Sequence, residues 1–132
     1  MKVSFANPTK KTILLVDDEP TVLKLLEFIL KKDYILVVHI NGLEAMNWLD
    51  SGNMPDLIIS DLLMPYVDGI DFVKSLKSSG YFRDIPIILL SSAYTLEELS
   101  AKLTYSFNLL MPKPFNPALL IKNVKALLNK ND

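Results

Sequence analysis

The sequence predicts an α/β fold, a doubly wound parallel sheet of five strands with helices on both faces. Two observations carry that prediction. Short, near-continuous apolar runs suit strands buried on both sides, and segments of helical period alternate with them five times over, with no repeat signature and no linker. Right-handed crossovers join such units. At 132 residues the chain is one domain, long enough to bury about two-thirds of the surface its unfolded form would expose, without a disulfide or structural metal. Residues 1–11 read as an N-terminal arm and 12–130 as the domain, with no output domain expected in the chain.

Thr12 to Val16 is the first apolar run, ending at Asp17-Asp18-Glu19. Pro20 suits the first turn of a helix, whose inward face is expected at Val22, Leu25, Leu26 and Ile29, ending near Lys31-Lys32-Asp33. Ile35 to Ile40 is a second strand, and Asn41-Gly42 forms a turn and cap before a shorter helix with Leu43, Met46 and Leu49 inward. Leu57 to Ile59, preceded by Pro55-Asp56, is a third, central strand that drives toward Asp61 and a turn at Pro65. Asp68 and Asp71 form a capping pair for a helix with Ile70, Val73 and Leu76 inward, ended by Gly80.

Pro86 to Ser91 is the fourth strand, and Thr95 with Glu98 forms the capping box of a helix to about Phe107. Leu109 to Met111 is a last strand interrupted by Pro112, which is tolerable where the missing N–H would not pair, as on a sheet edge. Asn116-Pro117 opens a final helix with Leu120, Ile121, Val124, Leu127 and Leu128 inward.

Composition removes several classes of function. With Cys 0 and His 1, zinc sites of the usual Cys/His kind and cysteine nucleophiles are excluded. Lys+Arg 14 against Asp+Glu 15, with no basic block, argues against direct nucleic-acid binding. The apolar runs, about six residues at most, fall far short of the ~18 to 20 of a membrane span, and no signal core opens the chain. A cytoplasmic location is expected.

Four strand ends carry polar groups: Asp17-Asp18, Asp61, Ser91 and Lys113. Taken alone, each has an ordinary reading, as a helix cap, a turn residue or a surface lysine. In a doubly wound sheet, however, these ends lie side by side, where ligands bind. Three carboxylates there repel one another unless a cation joins them, and Mg²⁺, with its oxygen ligands and retained water, is the natural choice. A hydroxyl and an ammonium group opposite the metal suit a phosphoryl group. No Gly-rich phosphate loop is present, so a tightly held nucleotide is not expected.

The markers Leu-Leu-Val-Asp-Asp-Glu-Pro, Asn-Gly-Leu-Glu-Ala, Asp-Leu-Ile-Ile-Ser-Asp-Leu-Leu-Met-Pro with Asp68-Gly69, and Lys113-Pro114-Phe115 follow in this order. From Ile13 to Leu128 the chain thereby resembles the receiver domains of two-component response regulators. The resemblance implies a flavodoxin-like strand order 2-1-3-4-5 and a signalling domain rather than an enzyme. It implies that Asp61 is the phosphoacceptor, taking its phosphoryl group from a phosphohistidine of a sensor histidine kinase or phosphotransfer protein. Asp18 would be a direct Mg²⁺ ligand, Asp17 an acidic partner mainly through water, and the Leu63 backbone carbonyl a further ligand. Lys113 would pair with Asp61, Ser91 would bond the phosphoryl group, and the Lys113-Pro114 bond would be cis.

Three departures stand out. Leu110 occupies the position of the family's aromatic switch residue, Ser106-Phe107 replaces a common Gly-Ala pair, and Pro112 removes a donor. Phe107 predicts an altered fourth helix or fifth strand, since overpacking costs on the order of 1 to 3 kcal/mol. The changes gather on the face of the fourth helix, fifth strand and last helix, where a homodimer or an unknown downstream protein would dock. Small Ser92 beside Ser91 leaves room for the phosphoryl group, and Leu63 and Ala93 offer nothing to position a hydrolytic water. The competing readings are a phosphorylation-independent interaction module and a hydrolase using an aspartyl-phosphate intermediate.

Overall fold

Five parallel strands form a single sheet in the order β2-β1-β3-β4-β5. The computed structural model describes residues 10–64, 67–92, 97–98 and 108–129. The elements are β1 (Thr12–Val16), α1 (Pro20–Leu30), β2 (Ile35–His39), α2 (Gly42–Asp50), β3 (Leu57–Asp61), α3 (Gly69–Lys77), β4 (Ile87–Ser91), β5 (Leu109–Pro112) and α4 (Pro117–Asn129). Apart from residues 97 and 98, which are helical and exposed, the expected helix at 95–107, with Phe107 and Ala93, lies outside the described residues, as do Pro65 and most of the N-terminal arm.

The middle strands read as uninterrupted apolar runs because helices cover both faces. Every residue of β3 and β4 is buried. One core layer joins Leu14, Val16, Ile58 and Leu89 to α2 and α3 through Ala45, Leu49, Phe72 and Leu76. The other joins Ile13, Leu15, Ile59 and Leu90 to α1 and α4 through Leu26, Leu30, Leu120 and Val124. Strand alternation sends successive side chains to opposite layers.

Helix starts follow local chemistry. Asn41 caps α2 by accepting the Glu44 N–H at 2.8 Å, and Asp68 caps α3 by accepting the Asp71 N–H at 2.9 Å. Asn116 accepts the Leu119 N–H at 3.1 Å where α4 begins. A Cβ on Gly42 would lie 2.5 Å from the Val67 carbonyl oxygen, and one on Gly69 2.5 Å from that of Asp61. Glycine at 69 thus lets α3 close directly against the end of β3.

The helical faces follow expectation at most positions: Val22, Leu26 and Ile29 of α1, Met46 and Leu49 of α2, and Leu120, Val124, Leu127 and Leu128 of α4 are buried or packed against the core. On α1 the buried stripe is Leu23, Leu26 and Leu30, while Leu25 is exposed. On α2, Gly42, Ala45 and Leu49 are buried and Leu43 is exposed, and on α4 Ile121 turns outward from the Leu120, Val124 and Leu128 stripe. The exceptions, Leu25, Leu43 and Ile121, stand at the margin of each inward face, where the close approach of helix to sheet decides which neighbour is covered. Helix α3 ends at Lys77, before Gly80.

Candidate functional site

The carboxyl ends of β1, β3, β4 and β5 converge on one acidic pocket. Asp17 follows β1 and is 0% exposed, and Asp61 ends β3 and is 5% exposed. Asp61 Oδ1 accepts the Leu62 N–H at 2.9 Å, while Leu62 N–H is also shared with the Leu90 carbonyl at 3.1 Å. The backbone of β4 therefore anchors the residue that follows the central carboxylate. Asp17 Oδ1 accepts the Glu19 N–H at 2.9 Å, and the Asp17 N–H donates to the His39 carbonyl at 3.2 Å.

Lys113 enters this pocket from the end of β5. Its N–H donates to the Ser91 carbonyl at 2.9 Å, and its bond to Pro114 is cis, as the resemblance implies. The ammonium lies 3.2 Å from Asp61 Oδ1, 3.0 Å from Asp17 Oδ2 and 2.7 Å from Glu19 Oε1. One cation thus serves three carboxylates. Only the Glu19 contact has hydrogen-bond geometry, and Asp17 Oδ2 is buried without a hydrogen-bond partner, held by charge alone.

The electrostatic consequences follow from burial. Desolvation, and then the charge of Asp17, push the Asp61 carboxyl up from 3.8 to about 6, against the opposing pull of Lys113. Burial also raises Asp17, partly offset by its bond from the Glu19 N–H and by Lys113. For Lys113 burial works toward neutrality, but the hydrogen bond to Glu19 and the charges of Asp17 and Asp61 outweigh it and raise its pKa.

Asp17, Asp61 and Lys113 therefore meet as the strand ends suggested, and Ser91, buried at the end of β4, borders them. Asp18 is exposed on the loop and lies outside the group of carboxylates whose ligand atoms fall within 4.8 Å of one another, Asp17, Glu19 and Asp61. Glu19 was not among the expected site residues. It occupies the N-cap position of α1 without capping it, so its carboxylate is free to reach Lys113. The only sequence signal is Pro20, which marks Glu19 as the last residue before the helix.

Beside the pocket, Glu19, Val22, Leu25, Ser92, Lys113, Pro114 and Phe115 line a groove of about 310 Å³. Leu63, two residues after Asp61, is exposed, while Leu110 packs half-buried against the α2–α3 core layer. Pro112 ends β5 with its nitrogen turned away from β4, because the next N–H, that of Lys113, is the one that pairs inward. Trp48 is packed against the core, its ring 6.1 Å from that of His39. Among the described residues, no helix is long and apolar enough to cross a membrane.

Fold and pocket define the class: a doubly wound α/β protein with an acidic site at the carboxyl ends of its strands. Comparison with known proteins is more specific. The family model described as the response regulator receiver domain matches residues 13–125, and the chain belongs to that family. It is 31% identical over 124 residues to chemotaxis protein CheY1 of Helicobacter pylori, covering 91% of this chain and 98% of that protein. It is also 31% identical over 121 residues to the phosphate regulon transcriptional regulatory protein PhoB of Escherichia coli, where 91% of this chain corresponds to 52% of PhoB. Among solved structures, the signal receiver domain of a signal transduction histidine kinase from Syntrophus aciditrophicus superposes with a TM-score of 0.83 at 36% identity, covering 91% of each chain. The chain is thus a two-component receiver domain, of a family that works as a phosphoacceptor switch with histidine kinases or phosphotransfer proteins. The phosphorylation-independent module is the less favoured reading.

Proposed function

We propose that Asp61 is the phosphoacceptor of this receiver domain. The observation that carries the proposal is the placement of a buried carboxylate at the end of β3, 3.2 Å from the Lys113 ammonium. Asp61 Oδ1 is engaged by the Leu62 N–H and Lys113, which leaves Oδ2 to attack the phosphorus of a phosphohistidine. The new O–P bond forms as the P–N bond breaks, and the leaving imidazole takes up a proton. Lys113 neutralises charge on the phosphoryl oxygens, and Ser91 hydrogen-bonds the group once it has arrived.

The donor set fits a divalent cation. Three carboxylates face a single ammonium, two negative charges remain unbalanced, and a buried oxygen of Asp17 has no hydrogen bond. Mg²⁺ bound there would supply positive charge to the transferring oxygens. We assign Asp61, Asp18 and the Leu63 carbonyl as its direct ligands and Asp17 as a partner mainly through water. Asp18 must then turn in from its exposed position, and Glu19 is the competing candidate. Weaker Mg²⁺ binding by Asp18→Asn than by Glu19→Gln supports the assignment, and the reverse order replaces Asp18 with Glu19.

The groove beside Lys113, flanked by apolar Val22, Leu25 and Phe115, suits the approach of the phosphodonor. Intact mass after incubation with a small-molecule phosphodonor tests the whole reading. One phosphoryl group is expected on the native chain, only with Mg²⁺, and none on Asp61→Asn. No gain by a folded, metal-supplied chain would overturn the reading in favour of the phosphorylation-independent module. Because Leu63 cannot orient water, the aspartyl phosphate is expected to be long-lived, and Leu63→Asn should shorten its lifetime. Equal lifetimes would refute that role.

A further inference from the structure

The two edges of the sheet are defended differently. On β5, Pro112 faces outward and presents no donor, a common guard against edge pairing. On β2, Ile35 N–H donates to the Lys11 carbonyl at 2.9 Å and the His39 carbonyl accepts the Asp17 N–H at 3.2 Å. Alternate residues of a parallel ladder direct both backbone groups to the same neighbour. Ile35, Val37 and His39 therefore face β1, and the N–H and C=O of Leu36 and Val38 point out of the sheet. Among the described residues no hydrogen bond reaches those groups. Neither proline, lysine nor bulge interrupts Ile35–His39, and Ile35 and Ile40 at its ends are 46% and 51% exposed.

We propose that this edge is a homodimer surface, on which a second copy of the chain adds its own β2, antiparallel, about a twofold axis at Val37. The outward groups select that register. Leu36 of each copy exchanges both hydrogen bonds with Val38 of the other, and the two Val37 residues face one another. Ile35 then lies opposite His39, and Tyr34 opposite the exposed Ile40. Charge favours a second copy over an unrelated strand. Lys31 and Lys32, exposed just before β2, arrive beside the start of α2 in the other copy, where Glu44 is exposed, and symmetry makes the contact twice. This surface lies at the opposite edge of the sheet from β5 and is independent of the phosphorylation chemistry.

Sedimentation velocity of the full chain over a concentration series, with amide hydrogen exchange, tests the proposal. A monomer–dimer equilibrium is expected, in which the amides of Leu36 and Val38 gain protection with concentration while those of Val37 and His39 do not. Val38→Pro leaves the β1 ladder intact and should weaken association about tenfold or more. Ile40→Lys, at an exposed position that folding does not need, should weaken it in the same direction. Lys31→Glu with Lys32→Glu should also weaken it, and Glu44→Lys added to that chain should restore it. A chain monomeric at millimolar concentration overturns the proposal. So does a dimer indifferent to Val38→Pro and Ile40→Lys, or one that forms only after removal of residues 1–9, which would place that segment on the edge instead.

Discussion

Strand β3 contains two buried regions of opposite energetic sign. Leu57, Ile58 and Ile59 are wholly buried among the apolar side chains of both core layers, and each contributes stability through the surface it removes from water. Asp61, two residues on, is nearly as buried, yet its ionised form is disfavoured there by desolvation and by Asp17. The same sheet that stabilises the domain along its length thus raises the energy of a charge at its end. A carboxylate kept where it costs stability marks a functional site rather than a folding device, in keeping with the phosphoacceptor role proposed for Asp61.

The contrast can be broken from either side. The largest effect is expected from Ile59→Ala, which opens a cavity in the α1–α4 layer and should lower unfolding free energy by about 2–5 kcal/mol in denaturant titrations. Metal-free Asp61→Asn should do the opposite, raising stability at pH 7.5 by on the order of 2 kcal/mol. The folded Asp61 carboxyl at about 6 holds its proton more tightly than the 3.8 of an unfolded chain. Wild type should therefore lose stability as pH rises from about 4 to about 6, and the advantage of Asp61→Asn should vanish near pH 4. A variant no more stable at pH 7.5 would mean that Lys113 fully compensates the buried charge.

Mg²⁺ should narrow the contrast by neutralising the pocket. At ten times its Kd it should stabilise wild type by about 1.4 kcal/mol in thermal melts, and Asp61→Asn or Asp17→Asn should abolish most of that shift. The smallest change is expected from Glu19→Gln. Glu19 is largely exposed, so its contact with Lys113 should contribute no more than about 1 kcal/mol, measured by the same melts.

The legibility of the fold followed from the same physics. Strands covered on both faces must be apolar throughout, so Thr12–Val16, Leu57–Asp61 and Ile87–Ser91 could be located by their runs alone. Helix phase was less legible at its margins: Val22, Leu26 and Ile29 pack inward as their spacing suggests, but only docking against the sheet buried Leu23 and Leu30 and left Leu25 exposed. At the site, Asp17, Asp61 and Lys113 were readable from their positions after strands. Glu19 was not, because a glutamate before Pro20 has the ordinary signature of a helix start and its link to Lys113 spans 94 positions.

The sequence by itself determined the alternation of strand and helix, the acidic and basic residues that end the strands, and the receiver motifs that order them. Those properties are local, set by periodicity, caps and the backbone limits of Gly69 and Pro112. Tertiary structure decided which residues at the margin of each helix face are buried, which acid accompanies Asp17 and Asp61 beside Lys113, and, among the described residues, which backbone groups of β2 point out of the sheet. Each of these depends on distances between segments remote in the chain, which residue types do not encode until the sheet has brought them together.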